Sequence, residues 1–183
     1  NVCYPYPVDP PYVPDDNPLG VYRKTIEVNG EEAKQQNYLV FEGVAPCLEL
    51  YINGEYVGYS TVSHSTSEFQ VELKAGTNEI LVKVYKWCVS SYLEDQDFFR
   101  NNGIFRDVYL LDRSGEHLND YFVHTCINDD HSQARITVDL QKSGTSPVSY
   151  EFVDAEGNII TAGQADDEIE INVSNAHLWN SED

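Results

Sequence analysis

Apolar and polar residues alternate with a period of two along much of this chain, the pattern of strands with one face buried. The sharpest instance is "CLELYINGEYVGYS", which begins at Cys47. Leu48, Leu50 and Ile52 fall on one face, Asn53-Gly54 suits a two-residue type I′ turn, and Tyr56-Val57 opens the return strand, so the segment predicts a β-hairpin. Further strands are predicted in "VYRKTIEV" from residue 21, "NYLVFEGV" from 37, "EFQVEL" from 68, "EILVKVYKW" from 79 and "GIFRDVYLLD" from 103. The helical candidate is "EEAKQQN", too short to stand without tertiary support.

Beyond "LLDRSGEHL" the pattern changes. Strands predicted over 119–127, 134–141, 148–153 and 168–173 are shorter and simpler, with polar turns such as "DAEGN" between them, as in a small β-sandwich. A boundary is placed near residue 113, giving two units, 1–113 and 114–183. The second has about 70 residues where an immunoglobulin-like sandwich needs about 100, so it is expected to be incomplete, with an open sheet edge. Pro5, Pro7, Pro10, Pro11, Pro14 and Pro18 stiffen an extended arm at the start.

Charge narrows the list of partners. With 31 acidic against 11 basic residues the formal charge is −20, which repels phosphate backbones and anionic membrane surfaces; neither nucleic acid nor membrane is an expected partner. No run approaches the roughly 18 apolar residues of a membrane span, and the N-terminus lacks the basic and apolar regions of a signal peptide. The first residue is Asn rather than Met, which hints at an excised piece. Cys3, Cys47, Cys88 and Cys126 are widely spaced, form no C-x-x-C pair and lie among strand-like residues. They are expected to be reduced thiols, three or four of them buried, in a cytoplasmic protein.

The general catalytic signatures H-E-x-x-H, G-x-S-x-G, G-x-G-x-x-G and the Walker loop are missing, and the histidines are scattered rather than set at ligand spacing. What stands out is "SYLEDQDFFRNNGIFRDVYLL", residues 91–111, with Glu94, Asp95 and Asp97 just ahead of Phe98, Phe99 and Arg100. A strand precedes this acidic loop and another follows it, so it is pinned at both ends. Carboxylates on a pinned loop beside aromatic rings suit a sugar: they accept from hydroxyl pairs or hold a hard cation, while a flat apolar surface meets the C–H faces. Glu94 and Asp95 are read as loop anchors bonded to backbone or arginine, Arg100 and Arg106 as partners of local carboxylates including Asp107, and Phe98, Phe99 and Phe105 as packing residues.

The same stretch resembles the end of the first domain of β-galactosidases in glycoside hydrolase family 2, where Tyr-Leu-Glu-Asp-Gln-Asp, an aromatic-Arg pair and Gly-Ile-Phe-Arg-Asp-Val occur in that order. The opening "NVCYPYPVDPPYVPDDNPLGVYRKTIEV" is similar to the family's Asn-Val-x-Tyr-Pro, Pro-Pro-x-Val-Pro and Asn-Pro-x-Gly-x-Tyr, and "AHLWNSED" resembles its Leu-Trp-Asn-x-Glu. Related β-glucuronidases share a Gly-Ile-x-Arg core but not the Leu-Glu-Asp-Gln-Asp before it. Two positions depart from the pattern: Phe99 stands where tryptophan is common, and the Asp-Gly often found before Ser-Tyr-Leu is replaced.

The resemblance implies an all-β chain: a jelly-roll, galactose-binding-like sandwich over 1–113, then an incomplete immunoglobulin-like sandwich over 114–183. It implies the non-catalytic N-terminal part of a retaining β-galactosidase that removes terminal β-D-galactose from galactosides such as lactose. The catalytic glutamates would lie in a TIM-barrel domain that this sequence does not contain. Carried over residue by residue, Asn1 and Asp97 are the substrate-binding positions, and Asp97 also helps to hold a sodium ion whose other ligands, like those of a catalytic magnesium, belong to the barrel. The full-length protein would be a homo-oligomer, and this chain alone inactive. A free-standing carbohydrate-binding module and a purely structural interaction domain are the rival readings.

Overall fold

The computed structural model describes residues 8–94, 101–179 and 181. The chain divides into two compact units, Asn1–Arg113 and Ser114–Asp183. Both are built from antiparallel strands, as the alternating pattern predicts.

In the first unit, a four-stranded sheet runs in the order β1 (Leu19–Val28), β7 (Gly76–Tyr85), β4 (Cys47–Ile52), β5 (Glu55–Ser60). A second sheet has the order β6 (Ser67–Val71), β2 (Gln36–Phe41), β9 (Val108–Arg113), and a short pair joins β3 (Val44–Ala45) to β8 (Gly103–Ile104). The period-2 pattern sets the register. Leu48, Leu50 and Ile52 lie opposite Val84, Val82 and Ile80, and all six belong to one buried cluster with Leu39, Phe41 and Val71. Each such side chain contributes about 1.5–3 kcal/mol on burial, and Phe41 adds an edge-to-face contact with Phe69 at 5.9 Å.

The hairpin stands where its turn chemistry puts it. Asn53 and Gly54 have φ of 53° and 87°, the left-handed pair that a type I′ turn requires. The Asn53 side chain does a second job: its Oδ1 accepts from the Glu79 N–H at 2.9 Å and its Nδ2 donates to Asn78 Oδ1 at 2.9 Å, tying the turn to β7.

Two predicted strands are each interrupted. The segment from residue 37 breaks between β2 and β3, and the one from 103 breaks between β8 and β9, at matching places. The Glu42 N–H donates to the Asp107 carbonyl at 3.0 Å and the Phe105 N–H to the Gly43 carbonyl at 3.1 Å, so the two strands bend together. A Cβ on Gly43 would come within 2.8 Å of the Phe105 ring, so a larger residue there would push that ring aside. The helical candidate appears as a single 3-10 turn, Glu32–Lys34, and one short helix absent from the predicted elements, α1 (Ser90–Leu93), follows β7.

In the second unit the sheets are β10 (His117–Ile127), β11 (Gln133–Ser143), β14 (Glu168–Ser174) in that order, and β12 (Val148–Val153) with β13 (Ile159–Ala165). Contrary to expectation, β10 and β11 are long, 11 residues each, and β13 is an additional strand. Ile136 and Val138 lie opposite Ile171 and Ile169, yet Phe122 on the edge strand β10 is 63 % exposed. The expectation of three or four buried cysteines is corrected as well. Cys47 is buried, Cys88 half-buried, and Cys126, on the edge strand β10, exposed, while Cys3 is outside the described residues. Among the described residues no helix is long and apolar enough to cross a membrane.

Candidate functional site

The acidic loop leaves β7 through a compact turn. The Cys88 N–H donates to Ser91 Oγ at 3.1 Å and the Ser91 N–H to the Cys88 carbonyl at 3.0 Å, a local serine-backbone exchange that starts α1. The helix ends when the Glu94 N–H bonds the Ser90 carbonyl at 2.9 Å. Glu94 then turns inward. Its carboxylate accepts from the Ser63 N–H at 3.0 Å and, through its other oxygen, from the Ser63 hydroxyl. Ser63 is 1 % exposed, so the carboxylate satisfies two donors that water cannot reach. This is the anchoring role expected of Glu94; Asp95 lies outside the described residues.

The proline-rich arm is fastened to the same turn. Asn17 bonds the Trp87 backbone twice: Oδ1 accepts from its N–H at 2.8 Å and Nδ2 donates to its carbonyl at 2.9 Å. The Lys86 N–H donates to the Pro18 carbonyl at 2.9 Å. Further along, the Tyr92 hydroxyl lies 2.8 Å from the Val8 carbonyl and 2.6 Å from that of Tyr12, and its one proton is shared between them. Two segments about 70 to 80 positions apart in sequence are thus held side by side, with the Asn17 and Tyr92 side chains supplying much of the join.

On the far side of the loop, Arg106 donates to the backbone carbonyls of His64 at 3.1 Å and, more weakly, Glu42 at 3.4 Å. Among the described residues its partners are these carbonyls rather than Asp107, while Asp95 and Asp97 lie outside the described residues. The Phe105 ring lies 5.3 Å from that of His64, and with 39 % of the residue exposed it is a partly open packing residue.

A cavity of about 30 Å³ sits among Pro46, Ser63, Trp87, Glu94 and Asn102. That is room for about one water, far below the roughly 300 Å³ or more of a small-molecule pocket. A larger opening of about 270 Å³ lies beside it in the first unit, lined by residues including Pro18, Tyr22, Lys86 and Asn102; in the second unit one of about 760 Å³ is lined by residues including Ile136, Phe152, Ile160 and Trp179. Its lining also includes Thr125, Asp154, Glu156 and His177, of which the Asp154 carboxylate is taken up by hydrogen bonds within its own turn. No group of three or more His, Cys, Asp or Glu among the described residues is placed to hold a metal ion.

Asn1 and Asp97, the sequence-predicted site residues, both lie outside the described residues, as do Phe98, Phe99 and Arg100. What the structure brings together are the segments that lead to them, residues 8–18 and 86–94. Sequence reasoning missed Asn17 and Tyr92 as the residues that join these segments, and Ser63 as the residue that anchors Glu94. Only Asn17 carried a local signal, the turn-forming Asn-Pro dipeptide.

Residues 1–114 match the family model described as glycosyl hydrolases family 2, sugar binding domain. The chain belongs to glycosyl hydrolase family 2. Family 2 relatives match it from end to end: it is 44 % identical over its whole length to a β-galactosidase of Actinobacillus pleuropneumoniae and 39 % identical to one of Staphylococcus xylosus. It spans only 18 % and 19 % of those two proteins. Among solved structures, a Bifidobacterium dentium β-glucuronidase superposes with a TM-score of 0.67 over 88 % of this chain and 34 % of its own, at 22 % identity. A Ruminococcus gnavus β-glucuronidase gives 0.64 over 87 % of this chain and 30 % of its own, at 20 % identity. At that identity the likeness speaks for the family 2 β-sandwich fold alone.

Proposed function

We propose that this family 2 chain is the non-catalytic, substrate-gripping part of a longer, cytoplasmic β-galactosidase that acts by retention on galactosides such as lactose. The observation that carries the reading is the end-to-end match to β-galactosidases several times its length. A TIM-barrel domain of the same polypeptide would supply the catalytic glutamates and the magnesium site, and the full-length protein would be a homo-oligomer.

The role proposed for this unit is orientation. Asp97 is three residues past Glu94, so its Cα lies within about 11 Å of a carboxylate-anchored backbone. Asp97 would grip galactose hydroxyls, and the binding energy would align the glycosidic bond for attack. Asn1 would reach the same sugar from the arm that Tyr92 and Asn17 fasten beside the loop.

Sodium fits the donor chemistry in part. Asp97 offers a hard oxygen, whereas Glu94 is already committed to Ser63, so this chain would contribute one carboxylate and the barrel the remaining ligands. The test is the full-length protein with a nitrophenyl β-galactoside and the matching β-glucuronide. The galactoside should be hydrolysed and the glucuronide not. Asp97→Asn should lower kcat/KM about 10- to 150-fold, the loss expected when one charged hydrogen bond worth about 1.5–3 kcal/mol is removed. A preference for the glucuronide, or unchanged turnover by Asp97→Asn, would overturn the reading.

A further inference from the structure

The outer face of the four-stranded sheet, the side turned away from the buried cluster, carries tyrosines gathered around one carboxylate and one ammonium. Tyr51 is the centre. Its hydroxyl donates to Glu49 Oε2 at 2.9 Å and accepts from Lys83 Nζ at 3.2 Å, and the same ammonium lies 4.4 Å from the centre of the Tyr51 ring. Glu49 faces Lys83 across the β4–β7 ladder and Tyr59 across the β4–β5 ladder, so phenol, carboxylate and ammonium stand in one cross-strand row. In the next row Tyr56 lies opposite Tyr51, with the rings 5.5 Å apart.

A β-bulge creates this face. Tyr56 and Tyr59 are three residues apart, which in a regular strand puts side chains on opposite sides of the sheet. In β5 the register shifts and leaves Val57 without a partner on β4. Val57 packs against the buried cluster, and a Cβ on Gly58 would meet the Phe69 ring on the same inner side. Both tyrosines therefore turn outward and are 55 % and 67 % exposed.

We propose that this face binds a neutral, extended, β-linked oligosaccharide. Exposed phenol rings on a strand face offer apolar surface to the C–H faces of pyranose rings, while Glu49 and Lys83, held in place by Tyr51, offer an acceptor and donors to neighbouring hydroxyls. A protein partner fits less well. The core of a protein interface is depleted of charge, and this cluster keeps a carboxylate and an ammonium, each about one-third exposed, at its centre. A protein surface would strip water from both, whereas sugar hydroxyls replace that water bond for bond. Acidic glycans are disfavoured by Glu49 and by the formal charge of −20. The inference stands on the sheet alone and does not rest on the galactoside reading.

Cellohexaose is the probe, being neutral, extended and free of galactose. Calorimetry on the full-length protein should give saturable heat, and hexagalacturonate, the acidic counterpart, should give none. Tyr56→Ala and Tyr59→Ala should each weaken cellohexaose binding about 5- to 10-fold, as loss of one stacked ring implies, whereas Tyr59→Phe keeps the ring and should stay within about 2-fold of the parent. A readout on unsubstituted protein covers the case of a variant that fails to fold: tetranitromethane should nitrate Tyr56 and Tyr59, located by peptide mapping, and cellohexaose should slow both. The proposal is overturned by absence of saturable heat, by equal binding in the parent and the folded double alanine variant, or by tighter binding of the acidic chain. It is equally overturned if both tyrosines resist nitration without sugar, which would mean that another domain or a second copy covers the face.

Discussion

Glu94 and Ser63, 31 positions apart, form a two-point hydrogen-bonded clasp in which one carboxylate meets both the N–H and the hydroxyl of a buried serine. Substituting Glu94→Ala leaves both donors without a partner in a place water does not reach, at a cost of about 2–3 kcal/mol. Glu94→Gln keeps an acceptor but loses the charge, so it should cost less than half as much. The direct measurement is hydrogen exchange at the Ser63 amide, which should lose protection most in the alanine variant, less in the glutamine variant, and remain slow in the parent.

Asn78 is fully buried and makes four hydrogen bonds at distances of 2.7–3.0 Å. Oδ1 accepts from Asn53 Nδ2 and the Lys74 N–H, and Nδ2 donates to the carbonyls of Lys74 and Gly76. Two donations and two acceptances fill the amide's capacity, which no other side chain of this size reproduces. Asn78→Asp places a second acceptor against two carbonyls, and Asn78→Ala strands all four groups. Both should destabilise the first unit by about 3 kcal/mol, seen as a lower urea midpoint of its transition, with the aspartate variant recovering partly in acid as its carboxyl is protonated.

These two sites mark where sequence reading succeeds and fails. The hairpin of Cys47–Ser60 is legible because its alternation, turn residues and core face agree over adjacent positions. β13 is not, since Ala162, Gly163 and Ala165 hide its alternation, and its pairing partner β12 is the only context that makes it a strand. The same contrast holds at the site. The carboxylate cluster and its likeness to family 2 stand out in the letters, and so does an anchoring role for Glu94. The identity of the anchor does not, because Ser63 sits in a loop with no local signal and meets Glu94 only once the sandwich has formed. The carbonyls that Arg106 meets are hidden for a related reason: sequence proximity favours Asp107, whereas Glu42 and His64 come beside the guanidinium only in the folded unit.

Glu116 gives the second unit a pH-dependent feature. Its carboxylate accepts from the Ser146 N–H at 2.9 Å and the Thr145 N–H at 3.0 Å, and these bonds hold its pKa below the ordinary 4.5. A depressed folded-state pKa means that the contribution is fully present above the unfolded value and is lost as pH falls through the folded one. Protection of the Thr145 and Ser146 amides should therefore be flat from neutral pH to about 5 and decline below about 4, after correction for intrinsic exchange. Glu116→Gln should remove that dependence. Gly144→Ala should weaken the protection at every pH, because its φ is +86° and a Cβ there would overlap the Glu116 carboxylate.

Tyr92 holds the proline-rich arm through a single phenolic proton shared between two carbonyls. Tyr92→Phe keeps the ring and deletes that donor, a loss of about 1 kcal/mol or slightly more, which should open the arm more often without unfolding the sandwich. Chymotrypsin is the suitable probe. Tyr12 is 72 % exposed and is followed by Val13, whereas Tyr4 and Tyr6 are each followed by proline and resist cleavage on that ground. Cleavage after Tyr12 should speed up about 5- to 10-fold in Tyr92→Phe, in step with a shift of that size in the opening equilibrium. Asn17→Ala, which deletes the two bonds to the Trp87 backbone, should act in the same direction. Equal cleavage rates in parent and Tyr92→Phe would mean that the phenol does not hold the arm and that the Asn17 and Pro18 contacts suffice.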